Sequence, residues 1–87
     1  MPKGFSHSTV VAMDHQARLY FRNQQIELPE LEKQLEQLAK RAGGSGLLLV
    51  LKADKSVSYE RITRLVAAAQ AVGVRQTWLA ARPRLFE

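Results

Sequence analysis

The sequence has no cysteine, only three prolines and five glycines in 87 residues, one tryptophan and two histidines. Without cysteine, neither a disulfide nor a thiolate metal site can staple the chain, so a hydrophobic core has to hold it. The apolar run Leu47 to Leu51 falls far short of the roughly 20 residues a membrane-crossing helix needs. The opening MPKGFSHSTV lacks the long apolar stretch of a signal peptide. The expectation is a segment with neither a membrane span nor an export signal. His7 and His15 fall in polar stretches without His-x-x-x-His spacing, which makes a poor zinc site, and they read as solvated imidazoles. No Gly-x-Ser-x-Gly turn presents a nucleophile. The sequence predicts no enzyme, no metal and no cofactor.

What is present is the balance of a folded domain, 46% hydrophobic and 24% charged. A chain of 87 residues fits one domain, marginal in stability by itself, so dimerisation or partner binding would help it. The formal net charge of +5 raises nucleic acid as a partner. The thirteen Lys and Arg residues are scattered, however, with no run longer than Lys40-Arg41. Single-strand readers also need exposed aromatics, and neighbours in a strand such as Tyr20 and Phe21 point to opposite faces. A small basic nucleic-acid-binding domain therefore stands as the alternative to the main reading, which is without nucleic acid.

Thr9 to Met13 and Arg18 to Arg22 are extended runs across Asp14-His15-Gln16-Ala17, the pattern of a β-hairpin. Asn23-Gln24-Gln25 reads as a second polar break. Pro29 suits the start of a helix, where its missing N–H costs nothing. Leu31, Leu35, Leu38, Ala39 and Ala42 then form one apolar stripe at helical spacing. Glu30 and Glu32 near the start, and Lys40 and Arg41 near the end, oppose the helix dipole. Gly43-Gly44-Ser45-Gly46 ends the helix. It follows a helix C-terminus, so it is a connector and not a phosphate cradle, whose dipole would need the opposite sign.

Leu47 to Leu51 is apolar on both faces, as in a strand buried on both sides. Ser58 can cap a second helix with the stripe Ile62, Leu65, Val66, Ala69 and Val72, closed by Gly73. Val74 to Ala81 reads as the last strand, with Arg82-Pro83-Arg84 as its break. The predicted fold is α+β: a two-layer ββαβαβ domain with a mixed four-stranded sheet and two helices on one face. The βαβ unit makes its strands parallel, while the hairpin is antiparallel. Residues 9–82 form the domain, 1–8 a flexible N-terminal segment and 83–87 a tail.

Ala53-Asp54-Lys55-Ser56-Val57-Ser58-Tyr59 joins the buried strand to the second helix. Asp54 can satisfy backbone N–H groups in that connection while Val57 and Tyr59 pack under the helix start. Alternatively, Asp54, Lys55 and Tyr59 form a partner contact. In the last strand Thr77 and Leu79 are the candidate contacts for a partner that adds a strand.

Three blocks of the sequence resemble the periplasmic, C-terminal domain of the ExbD/TolR family. They are Asp14 to Asn23 with Ile26, Leu28-Pro29-Glu30-Leu31 with Leu35, and Leu51 to Tyr59 continued by Ala68 to Val74. The third is the most specific, since the family carries an Asp-Lys-x-Val-x-Tyr element before a helix that ends in glycine and a final apolar strand. The turn lacks the glycine expected near Ala17, and Leu28 stands where a polar cap is usual.

The resemblance implies an accessory of a proton-motive-force-driven energy-transduction complex of the TonB or Tol-Pal type, in biopolymer or protein transport. It implies a single-pass inner-membrane protein with this domain in the periplasm. The membrane helix would bear an aspartate that takes part in proton passage, and it is absent from these residues, so Asp54 is not given that role. The implied partners are a second copy in a homodimer, an ExbB/TolQ-like channel protein through the membrane helix, a TonB/TolA-like transducer and peptidoglycan in the TolR branch.

Overall fold

A computed structural model of the chain describes residues 7–82. The elements in order are β1 (His7–Met13), β2 (Leu19–Phe21), β3 (Gln24–Ile26), α1 (Leu28–Ala42), β4 (Leu47–Asp54), α2 (Tyr59–Ala71) and β5 (Val74–Arg82). The fold is α+β with one mixed sheet in the order β3-β2-β1-β4-β5. β1 pairs antiparallel with β2 and parallel with β4, and β4 pairs parallel with β5.

The sheet has five strands, not four. Asn23-Gln24-Gln25, expected as a break, contributes Gln24 and Gln25 to β3. The turn before it is Arg22-Asn23, both at positive φ, 54° and 66°. Two such residues in succession give the hairpin turn whose twist matches that of its strands. β3 is three residues long with two glutamines, so it carries no alternation to reveal it. β1 also begins at His7, two residues before the expected Thr9. Of the expected tails at 1–8 and 83–87, residues 1–6 and 83–87, Pro83 included, lie outside the described residues.

Both helices cover one face. Leu31 and Leu35 of α1 and Leu65 and Ala69 of α2 join the odd positions of β4, Leu47, Leu49, Leu51 and Ala53, in a single buried cluster. Val11, Met13 and Phe21 complete it from β1 and β2. Burying a side chain of that size contributes about 1.5 to 3 kcal/mol. α1 begins without a side-chain cap but has Pro29 in its first turn, and Glu30, Lys40 and Arg41 match its dipole. α2 is capped by Ser58, whose Oγ accepts the N–H of Arg61 at 3.3 Å. Gly73 follows at φ 107°, where a Cβ would stand 3.2 Å from that of Ala39 on α1. A glycine there allows the left-handed turn and the close approach of the two helices together.

Candidate interaction surface

The hairpin is organised by Asp14, whose carboxylate leaves the end of β1. Oδ1 accepts the backbone N–H of Gln16 and of Arg18, each at 2.9 Å. Oδ2 accepts the Arg18 guanidinium at 2.7 Å and the Tyr20 hydroxyl at 2.9 Å. Partial desolvation pushes this carboxyl up, but the hydrogen bonds from Arg18, Tyr20 and Gln16 outweigh it and hold it well below the usual carboxylate range. The same bond to Asp14 leads the causes that raise the Arg18 and Tyr20 pKa values. Four donors on one carboxylate fix the turn so firmly that Ala17 accepts φ 64° where a glycine was expected. Asp14 was missed as an organising residue; the Asp-x-x-x-Arg-x-Tyr spacing was the available signal.

Asp54 ends β4 and builds the turn into α2. Its Oδ1 accepts the Ser56 N–H at 2.9 Å and the Ser56 hydroxyl at 2.7 Å, and its carbonyl accepts the Val57 N–H at 3.0 Å. Of these, the Ser56 N–H bond is the one in which the side chain satisfies a backbone donor. Lys55 is exposed in the same turn. Val57 is buried, but Tyr59 is 79% exposed and does not pack under the helix start. It is the first residue of α2, and its carbonyl accepts the Thr63 hydroxyl at 2.8 Å.

Thr77 and Leu79 lie on β5, opposite Leu49 and Leu51 of β4 and therefore on the helix-covered side. Leu79 is nevertheless 49% exposed, because β5 is the sheet edge and no strand among the described residues flanks it beyond. Thr77 Oγ1 is buried with no hydrogen-bond partner among the described residues. On the opposite face Val10, Val50 and Trp78 form one row across β1, β4 and β5, with Val10 and Trp78 exposed at 46% and 40%. This row escaped the sequence reading, since it exists only once three strands are in register. Asp54, Lys55 and Tyr59 thus gather around one turn, while Thr77 and Leu79 sit along the edge strand.

His7 and His15 are exposed, and no group of three or more His, Asp or Glu side chains is placed to hold a metal among the described residues. Tyr20 lies, half-buried, on the face opposite the helices and Phe21 is buried beneath them, as strand alternation requires.

No significant match is found among curated proteins. The family model described as biopolymer transport protein ExbD/TolR matches residues 6–84, nearly the whole chain, from β1 to the end of β5. This chain belongs to the ExbD/TolR family.

Proposed function

We propose that this chain is the periplasmic interaction and dimerisation domain of an accessory protein in a proton-motive-force-driven complex of the TonB or Tol kind. The family's members are accessory proteins of biopolymer transport, anchored in the inner membrane, that act with ExbB/TolQ- and TonB/TolA-type partners. No helix among the described residues is long and apolar enough to cross a membrane. Anchoring would then fall to residues outside this domain, and the domain's own task is binding rather than catalysis.

The observation that carries the reading is β5. It is nine residues long, pairs on one side alone among the described residues, and exposes Trp78 and Leu79. A strand edge of this kind offers a row of N–H and C=O groups to an extended peptide or to a second copy of the chain. The row Val10, Val50 and Trp78, exposed at its two ends and half-buried at Val50, supplies apolar surface beside that edge.

Two proline variants test it. Adjacent amides of a strand point to opposite sides, so one of Thr77→Pro and Trp78→Pro removes an outward N–H and the other breaks the ladder to β4. The outward variant is expected to melt near the parent while losing affinity for an extended TonB- or TolA-type peptide. Undiminished peptide binding by a folded outward variant would exclude strand addition at β5.

A further inference from the structure

A cleft of about 260 Å³ opens on the far side of the molecule from the β5 edge, where the hairpin, the β3–α1 junction and α2 meet. Its floor is apolar. Met13 and Leu65 belong to the buried core, and Leu19, Ile26 and Leu28 pack against it, so a side chain entering here would extend that core. Its rim is cationic: Arg18, Arg61 and Arg64 line it against the one acid Glu27.

The three arginines are not equally committed. Arg18 is held by Asp14 at 2.7 Å. Arg64 pairs with Glu60 at 3.2 Å, but both side chains are more than 70% exposed, a pair that exchanges readily. The Arg61 side chain makes no hydrogen bond or ion pair among the described residues, although its own N–H is taken by the Ser58 cap. Arg61 and Ala17 also line an adjoining cleft of about 220 Å³ beneath the hairpin turn, so Arg61 stands at the junction of one longer groove.

We propose that this groove docks a short acidic segment of a partner protein, with an aliphatic side chain on the floor and flanking carboxylates on Arg61 and Arg64. With Arg18 held by Asp14 and Arg64 shared with Glu60, the uncommitted cation is Arg61, and since Arg pairs carboxylates with two parallel hydrogen bonds it favours an acidic side chain there. The apolar floor fixes its second requirement. Neither cleft is lined by Phe, Tyr or Trp, and His15 is the one ring along them, so the lining has no series of aromatics on which successive nucleobases would stack. The groove is separate from β5 and does not depend on strand addition there.

The test titrates the isotope-labelled 87-residue chain with the peptide acetyl-Asp-Leu-Glu-Leu-Asp-amide and with its Asn/Gln counterpart. The acidic peptide is expected to shift the amides of Ala17, Ile26 and Leu65 saturably, with affinity falling as salt rises. Arg61→Gln should weaken it at least about five-fold and Arg64→Gln less, as expected for charge-assisted bonds of unequal commitment. Both residues are exposed, so thermal melts of both variants should match the parent. Equal binding of the neutral peptide, an unchanged affinity in Arg61→Gln, or no binding at all would overturn the proposal. Shifts confined to β5 would support strand addition and overturn the groove. Displacement of the peptide by an oligodeoxythymidine would reassign the arginines to nucleic acid.

Discussion

At one edge of the sheet β3 offers three residues, two of them glutamine, and runs almost at once into α1. At the other edge β5 offers nine residues, with Trp78 and Leu79 exposed and Ala80 beside them. Soluble domains blunt their edges by keeping them short and polar, because an exposed strand invites another chain. β3 follows that rule and β5 breaks it. The two edges of one sheet thus differ in length and in apolar exposure under the same solvent. On this contrast rests the proposal that partners bind at β5.

Several substitutions would break or sharpen the contrast. The largest effect is expected at the shared centre from which both edges hang. Leu49 is fully buried in β4, and Leu49→Ala should cost about 2 to 5 kcal/mol in denaturant unfolding. A loss below about 1 kcal/mol would mean that the two edges are not supported by one core.

Smaller effects separate the turns that serve each side. Asp54→Ala removes the acceptor for the Ser56 N–H and hydroxyl in the connection leading towards β5. It should cost about 1 to 2 kcal/mol. An unchanged melting temperature together with weaker transducer binding would instead make Asp54 a contact residue.

On the β3 side, Asp14 is the group to titrate. Its folded pKa lies below the unfolded value near 4, so its contribution is complete above that pH and is lost as pH falls through the acid range below it. The stability gap between the parent and Asp14→Asn should therefore be widest near neutrality and shrink below about pH 4. A gap independent of pH would show that the carboxylate's charge is not what holds the hairpin.

The smallest effect on stability and the clearest on association belongs to Leu79→Lys. Leu79 is half exposed on the edge, so unfolding should change by less than about 0.5 kcal/mol. Self-association in analytical ultracentrifugation should fall, since a lysine on an edge strand opposes pairing. Unaltered self-association would move the dimer contact elsewhere, the row Val10, Val50 and Trp78 being the next surface to change.

Much of this architecture is legible in the chain. Leu31, Leu35 and Ala42 give α1 its buried stripe, and the doubly apolar run Leu47 to Leu51 gives β4 its place between two neighbours. Both signals are periodic and long enough to stand above local noise. β3 is not legible, because three residues show no period and the turn that makes it uses Arg22 at φ 54°, a residue with no preference for that conformation. The Asp54 turn can be read from Asp-x-Ser spacing, since the carboxylate's bonds reach only two residues ahead. The Val10, Val50 and Trp78 row and the arginine-rimmed groove cannot, because they depend on strand register and on elements far apart in sequence. Asp14 lies between these cases: its four bonds are local, but they run to two side chains as well as to the backbone.

The most direct test of the β5 assignment is amide chemical-shift mapping with an extended peptide from a TonB- or TolA-type transducer, followed by hydrogen exchange on the complex. Strand addition at β5 should shift Gln76 to Ala80, with added protection on alternate amides as a new strand pairs with the edge. Perturbations confined to the outer faces of α1 and α2, with Gln76 to Ala80 unmoved and unprotected, would contradict it.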